Sequence, residues 1–325
     1  MITKPDFMQK KIIIFFPKDG EKISFKNDNV IILDENNKIK LQLSCYLLFA
    51  IYIVGGFSLT SGIIEKSKKF GFSIVLFTYS FKYYASINFK MEGNILLRKK
   101  QYSEKRSNEI ARHIIINKIE NQRDTLYKMR DKTVADGIIN LDVQIQKMLT
   151  IENIDNYTTM GIEGVAAKVY FNRLFKDFDW KGRQPRVKRD KINLLLDIGY
   201  TILFNYIDGI LNIYGFDEYK GNLHQEFYKR KSLVCDMVEP FRPIIDYRIK
   251  KGIMLKQFDN YDFKVYNNQY SIDWKSSSDF SKIILEEISQ YKDKIFDYIL
   301  TYYRWIMKEK DFEYFPKVVL KNDNN

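Results

Sequence analysis

The chain has 325 residues, of which 45% are hydrophobic and 29% are charged, and its 53 basic and 41 acidic side chains give a net charge of +12. This length and apolar content suffice for one large domain or two ordinary ones. The positive charge favours an anionic partner, with nucleic acid the leading candidate, although Lys-rich proteins without a binding role share this balance. Cys45 and Cys235 lie in apolar surroundings without CxxC spacing, which excludes a disulfide framework or a structural zinc site.

No membrane association is expected from the sequence. The longest apolar run, residues 46–57, is about a dozen residues long, whereas a membrane span needs roughly 20. Charged residues at Lys4, Asp6 and Lys10 interrupt the N-terminus, which therefore does not match a signal peptide. We expect a cytoplasmic location.

Residues 1–92 are predicted to form a small N-terminal β-rich domain. Short apolar or alternating runs are separated by Pro, Gly and Asn-Asp turns, a pattern typical of strands. The apolar run at 47–54 indicates a strand buried on both faces, whereas the alternation at 39–43 indicates a half-buried strand. The predicted strands are 11–16, 22–25, 30–33, 39–43, 47–54, 72–77 and 83–89, with one helix at 60–70.

Residues 93–325 are predicted to form a larger all-α domain, so the expected fold class is α+β. After Gly93 the apolar residues recur at helical spacing. Thr158 and Thr159 are expected to cap a helix over 161–171, and Asp190 is expected to begin a long apolar helix that stops before Gly215. Further helices are predicted at 96–130, 136–149 and 280–307, a hairpin at 263–272, and a polar tail at the C-terminus.

A histidine and several carboxylates in the helical domain form a candidate metal site. Asp236 and Glu239 are three residues apart, so on a helix they lie on one face. With Glu163 and His224 they supply oxygen and imidazole ligands that suit Mg²⁺ or Mn²⁺. Such a metal would polarise a phosphate and offset charge in a transition state. From composition alone the metal site is the weaker interpretation, because a histidine after a glycine is more often a satisfied loop residue and the carboxylates could form ordinary ion pairs.

Cationic side chains surround the candidate ligands. A basic loop over 181–189 lies between the segments that carry Glu163 and His224, and a second cluster follows His224. We expect phosphate contacts from them, with a solvated linker as the alternative for the loop. The candidate DNA-binding residues are Arg183, Arg186, Lys188, Arg189, Lys229, Arg230 and Arg242.

Four blocks of sequence carry a resemblance to a known family. They read GIEGVAAKVYF at 161–171, RDKINLLLDIGYTIL at 189–203, GFDEYKGNLH at 215–224 and SLVCDMVEPFRPIID at 232–246. In this order and spacing they resemble the CRISPR-associated integrase, the catalytic nuclease-integrase subunit of the spacer-acquisition complex. The predicted β domain before them also fits the family's two-domain plan.

The resemblance implies roles for individual residues. Asp236 falls on a nearby acidic position and is expected to support the site. The Asp–Asn pair of the second block falls on Asp190 and Asn193, which we expect to cap and pack near it. Glu218 and Asn222 depart from the residues that the family often has, which puts the local loop shape in doubt but removes no ligand. The candidate catalytic residues, which would also bind the metal, fall on Glu163, His224 and Glu239.

The resemblance also implies a reaction and partners. The 3′-hydroxyl of a short captured DNA would attack a phosphodiester at the boundary of a CRISPR repeat, with Mg²⁺ or Mn²⁺ as cofactor and double-stranded DNA as substrate. The protein would form a homodimer through its β domain, and a small partner protein would bridge two dimers.

Three other functions compete with this interpretation. A stand-alone metal-dependent nuclease on branched DNA would use the same residues, and a DNA-binding architectural subunit would need only the basic ones. A tyrosine recombinase is disfavoured, since no Arg–His–x–x–Arg segment precedes a late tyrosine.

Overall fold

The computed structural model describes residues 3–79, 81–88 and 94–320, and strands dominate the first part of the chain. The N-terminal elements are α1 (Lys4–Gln9), β1 (Lys11–Phe15), β2 (Lys22–Lys26), β3 (Asn29–Leu33), β4 (Ile39–Ser44), β5 (Leu48–Val54), α2 (Ser61–Phe70), β6 (Ser73–Phe77) and β7 (Tyr83–Ile87). The strand predicted at 83–89 is thus present as β7, while Phe89 and the predicted domain boundary at 92/93 lie outside the described residues.

These strands form two sheets. The first has four strands in the order β1-β5-β6-β7, with β1, β5 and β6 parallel and β7 antiparallel. The second is antiparallel, in the order β2-β3-β4. Strand β5 is buried along its whole length because one face contacts the β2-β3-β4 sheet and the other the helices. This burial on both faces explains why the sequence of β5 is apolar without interruption.

The prediction of a half-buried strand at 39–43 was wrong in its burial, although the strand exists. In β4 the side chains of Ile39 and Leu41 are 55% and 37% exposed. The strand lies at the edge of its sheet, where Leu43 still packs against the core but Ile39 and Leu41 do not. Alternation indicates that one face is apolar but does not say what covers it.

Helices make up most of the remaining chain, which confirms the α+β class. The elements that follow β7 are α3 (Ile95–Ser103), α4 (Ser107–Lys128), α5 (Ala135–Thr150), α6 (Asn156–Leu174), α7 (Lys191–Tyr214), α8 (Ser232–Val238), α9 (Arg242–Met254), the hairpin β8 (Phe263–Tyr266) and β9 (Gln269–Ile272), α10 (Trp274–Gln290) and α11 (Lys292–Lys308).

Four details of the helical prediction need correction. The predicted helix 96–130 is two helices, α3 and α4, separated by residues 104–106. Helix α6 begins earlier than expected, because Asp155 rather than Thr158 or Thr159 caps it by accepting from the Thr158 N–H. The predicted helix 280–307 is two helices that meet at Tyr291. The C-terminal segment is not a loose polar tail as far as residue 320, since Phe315, Val318 and Leu320 are buried.

Helix α7 is the central element of the helical part. Among the described residues it is the one helix long and apolar enough to cross a membrane, but 83% of its most apolar window is buried inside the protein. Phe49 from β5 contacts Tyr206 of α7, with ring centroids 5.5 Å apart. The length and hydrophobicity of α7 are therefore those of a core helix that packs against both the sheet and its helical neighbours.

The N-terminal helix α1 joins the β-rich part to the C-terminal helices. Phe7 is fully buried, stacks on Phe296 of α11 at 4.5 Å and meets Phe49 edge-on at 5.4 Å. The Lys292 ammonium donates to the Met8 and Lys10 carbonyls at 2.8 and 2.6 Å. The predicted regions 1–92 and 93–325 thus share a continuous apolar core.

We expect Phe7→Ala to lower the free energy of unfolding by about 3–5 kcal/mol, the usual cost of truncating a buried Phe. Chemical denaturation followed by circular dichroism would measure it. Met8→Ala is the matched control, because Met8 lies in the same helix with 42% of its surface exposed, and its effect should stay within about 0.5 kcal/mol. Equally small effects of both changes would mean that α1 detaches without cost.

Candidate metal and nucleic-acid site

Two carboxylates from separate helical segments meet at one lysine. Glu163 on α6 and Glu239, which follows α8, place carboxylate oxygens 2.5 and 2.7 Å from the Nζ of Lys118 on α4. The Lys118 and Glu239 side chains are only 9% and 5% exposed, and Glu163 is 26% exposed. The structure therefore brings together two of the three predicted ligands around a buried cation.

Helix α4 positions Lys118 on its buried face. Ile114 lies one turn earlier and is fully buried. Asn121, one turn later, donates from Nδ2 to the Pro240 carbonyl at 3.0 Å. Because Pro240 follows Glu239 directly, this bond holds the short 3₁₀ turn that carries the carboxylate against α4.

The charges in this cluster stabilise one another. Burial opposes ionisation of Glu239, but Arg242, Lys118 and His224 outweigh it and lower the pKa of Glu239 to about 2. Burial likewise opposes the charge on Lys118, and Glu163 and Glu239 overcome it, so the pKa of Lys118 is raised. Arg242 Nε lies 3.0 Å from the Glu239 carboxylate. Lys118 and Glu239 are therefore both ionised at neutral pH.

His224 is held by a different carboxylate. Asp236, fully buried in α8, accepts from the His224 Nδ1 at 2.8 Å. It also accepts three backbone N–H bonds, from Asn222, Leu223 and His224, at 2.6, 3.0 and 3.0 Å. Because Asp236 can only accept, Nδ1 carries the proton and the lone pair is on Nε2.

The shared helical face predicted for Asp236 and Glu239 does not give them a common partner. Helix α8 ends at Val238, and Glu239 begins the 3₁₀ turn. Asp236 serves His224, whereas Glu239 serves Lys118 and Arg242. Asp236 has the arrangement of a carboxylate that orients a ligating histidine.

The donor chemistry fits a hard divalent cation. In the parts of the chain that the structure describes, no His, Cys, Asp and Glu side chains are gathered in threes closely enough to hold a metal. Instead the Lys118 ammonium lies between the two carboxylates, where a cation is favoured. The Glu163 and Glu239 oxygens and an imidazole nitrogen of His224 are suitable ligands for Mg²⁺ or Mn²⁺.

These carboxylates lie in the wall of a long groove of about 1110 Å³. It extends from α4 and α6 past α7 to Gln269 of the β8–β9 hairpin and to Lys82, next to β7. Of the candidate DNA-binding residues, Arg189, Lys229 and Arg230 do not line it. Its other cationic lining residues are Lys118, Lys168, Lys181, Arg183, Arg186, Lys188 and Arg242.

The basic loop 181–189 is anchored at its base by Asn193. The Asn193 amide accepts from Arg183 Nη1 and the Gln184 N–H at 2.9 and 2.8 Å and donates to the Gly182 carbonyl at 3.1 Å. Asp190 caps α7 by accepting from the Asn193 N–H at 2.7 Å. Asn193 therefore shapes the loop rather than the carboxylate cluster.

The candidate cations of the loop differ in availability. Arg183 is engaged internally, with Nη2 2.5 Å from Asp197. Burial lowers the pKa of Lys188, and Arg186 and Arg189 are exposed. Lys229, also exposed, belongs to the turn after His224.

Sequence reasoning missed the residues that connect the loop to the cluster. The Tyr200 ring lies 4.6 Å from the Arg242 guanidinium and 5.3 Å from that of Arg183. The Tyr200 hydroxyl donates to Asp246, a buried carboxyl whose pKa burial raises to about 7. Sequence reasoning also missed Lys118. The sequence marks it only as a charged residue among the apolar residues that recur at helical spacing in α4.

Comparisons with known proteins agree with this architecture. The family described as "CRISPR associated protein Cas1" matches residues 14–286. A CRISPR-associated endonuclease Cas1 from Thermodesulfovibrio yellowstonii is 30% identical over 225 residues, which cover 66% of this chain and 71% of that protein.

Two solved structures share the fold. One chain of a Cas6-RT-Cas1–Cas2 complex has a TM-score of 0.79 at 20% identity; the match covers 96% of this chain and 36% of that much longer one. A casposase bound to its integration product has a TM-score of 0.77 at 19% identity, with 97% of this chain and 96% of that chain covered. On the match of the family to most of its length, the chain belongs to the CRISPR-associated Cas1 family.

Proposed function

We propose that this protein is a metal-dependent DNA integrase that inserts short captured DNA into a CRISPR repeat array. The observation that carries the proposal is the buried pair of carboxylates, Glu163 and Glu239, in the wall of a basic groove in a chain of the Cas1 family. The names of its relatives, an endonuclease and a casposase with an integration product, support chemistry on DNA phosphodiesters.

Glu163, Glu239 and His224 would hold the Mg²⁺ or Mn²⁺ ion. When bound, the ion would polarise the scissile phosphate and offset negative charge in the transition state. Asp236 fixes the tautomer of His224 and thereby presents Nε2 as the ligating atom. Arg242 keeps Glu239 ionised and ready to bind a cation.

The reaction is a transesterification that needs no protein nucleophile. The 3′-hydroxyl oxygen of the captured DNA forms a bond to phosphorus at the repeat boundary. The bond from that phosphorus to the 3′-oxygen of the repeat strand breaks, and the leaving oxygen takes up a proton while the attacking hydroxyl loses one. Atoms and charge balance without a co-reactant, and water in place of the hydroxyl would give a nick.

The groove would hold double-stranded DNA by its phosphates. Arg186, Lys188 and Lys181 lie on one loop of its wall, and Arg189, Lys229 and Arg230 would extend this basic surface beyond the groove. Arg183 would act mainly by shaping the loop, because its guanidinium is paired with Asp197. Phosphate contacts of this kind position the duplex but do not read its sequence.

The assembly would be a homodimer in which the β-rich part forms the contact, and a small partner protein would bridge two dimers. The exposed apolar side chains of Ile39 and Leu41 on the edge strand β4 support a contact at this end of the molecule. A structural relative occurs in a complex that contains Cas2. A cytoplasmic location without membrane association belongs to the same proposal.

Glu163→Gln and His224→Ala should each reduce strand transfer to the background of a reaction without protein, because each removes a proposed metal ligand. The assay joins a labelled short duplex with free 3′ ends to a supercoiled plasmid carrying a repeat array, in Mg²⁺, Mn²⁺ or EDTA and with the small partner protein present. DNA affinity should persist in both variants. Normal joining by either variant would remove that residue from the site, and binding without joining by the unmodified protein would favour an architectural subunit.

Asp236→Asn should impair strand transfer less than Glu239→Gln. Asp236 acts on the site through His224, and loss of such an orienting carboxylate typically costs about 10–100-fold, whereas Glu239→Gln removes a ligand. Rates from the same joining assay would rank them, with circular dichroism to confirm that both variants fold. Equal rates, or a greater loss for Asp236→Asn, would contradict the assigned roles.

Arg186→Gln should weaken DNA binding and flatten its salt dependence. On duplex DNA, neutralising one fewer phosphate makes the slope of log K against log salt shallower by about 0.9. Fluorescence anisotropy with a labelled duplex at several NaCl concentrations would measure the slope. Lys26→Gln, an equally neutralising change at an exposed position on β2, is the control, and identical slopes for both variants would place the DNA elsewhere.

A further inference from the structure

We propose that Lys118 is a resident counter-ion that competes with the divalent metal for Glu163 and Glu239. This inference rests on the proposed function, since it concerns the same carboxylates. It assigns to Lys118 a role in setting metal affinity.

The geometry places one ammonium against both candidate ligands. Lys118 Nζ lies 2.5 Å from Glu163 Oε1 and 2.7 Å from Glu239 Oε2. These residues come from α4, α6 and the turn after α8, so the contact closes three separate segments around one cation. The Lys118 side chain is only 9% exposed, so water contributes little screening.

The charges of the cluster sum to zero before any metal arrives. Two carboxylates, Glu163 and Glu239, face two cations, Lys118 and Arg242. Without Lys118 the two carboxylates would repel each other and attract a cation more strongly. A divalent ion must therefore displace the ammonium or bind beside it, and in either arrangement the positive charge of Lys118 opposes metal binding.

A displaced Lys118 ammonium would move into the basic groove. Lys118 lines the basic groove, as do both carboxylates. An ammonium that leaves them would face the space assigned to DNA, where a phosphate oxygen can replace the carboxylates as its partner. The metal would take the place of the ammonium at the carboxylates, and a DNA phosphate would become the new partner of the ammonium. Metal binding and DNA binding would then favour each other.

The test measures Mn²⁺ affinity of the full chain by isothermal titration calorimetry, with Mn²⁺ electron paramagnetic resonance as a second readout. Lys118→Met should bind Mn²⁺ at least about tenfold more tightly than the unmodified protein, because a nearby positive charge is removed. Lys118→Arg keeps the charge and should bind as weakly as the unmodified protein. Lys168→Met makes the same chemical change at an exposed position of the same groove and should leave the affinity unchanged.

Stability gives an independent check. Lys118→Met should have a lower Tm in EDTA than the unmodified protein, since its carboxylates lose their counter-ion, and Mn²⁺ should raise its Tm by a larger interval. Lys118→Gln, a neutral polar replacement, serves if the Met variant does not fold.

The possible failures are distinguishable. If the unmodified protein binds Mn²⁺ and the neutral Lys118 variants bind it equally or more weakly, the competition is wrong while the metal-dependent function stands. If neither the unmodified protein nor any variant binds Mn²⁺, both the metal site and the competition are wrong. Tighter binding by the variants with no strand transfer by the unmodified protein would keep the competition and overturn the integrase.

Discussion

A buried ammonium shared by two carboxylates is the constraint on which the candidate site of this protein depends. Removing charged groups from water is costly, and the cost is offset only where partners and geometry are well matched. Lys118, Glu163 and Glu239 meet this condition because three helical segments converge on one point. Asn121, a polar residue on the core face of α4, belongs to the same arrangement. Its side chain ties the turn that carries Glu239 to that helix.

A series of side-chain contacts connects the cluster of Lys118, Glu163 and Glu239 to the surface that would receive DNA. Arg242 contacts Glu239 on one side and the Tyr200 ring on the other, and the same ring faces Arg183 at the base of the basic loop. Asp246 holds the Tyr200 hydroxyl from within the core. The Tyr200 ring therefore contacts both guanidinium groups. A change in the basic loop would thus also alter the environment of Glu239, a proposed metal ligand.

Much of the fold could be predicted because its determinants are local. The strands β1 to β6 and the helices α2, α5 and α7 follow from alternation, apolar runs and caps that lie within each segment. Other features could not be derived from these patterns. The exposure of Ile39 and Leu41 depends on what covers an edge strand, and the break at Tyr291 interrupts a pattern that periodicity alone reads as one helix.

The site was predictable to a smaller extent, and for a different reason. Glu163, His224 and Glu239 were predicted as ligands from the resemblance of four sequence blocks, because spacing alone places Asp236 and Glu239 on one helical face and gives no reason to separate their roles. Lys118 and Glu163 are 45 residues apart in the chain, and no local rule pairs them. What the sequence does contain is a lysine at a core position of a helix, and a buried ammonium needs acceptors, either carbonyl oxygens or carboxylates. Lys118 therefore indicates that acceptor groups meet α4 at this position, but the sequence does not name Glu163 and Glu239 as those groups.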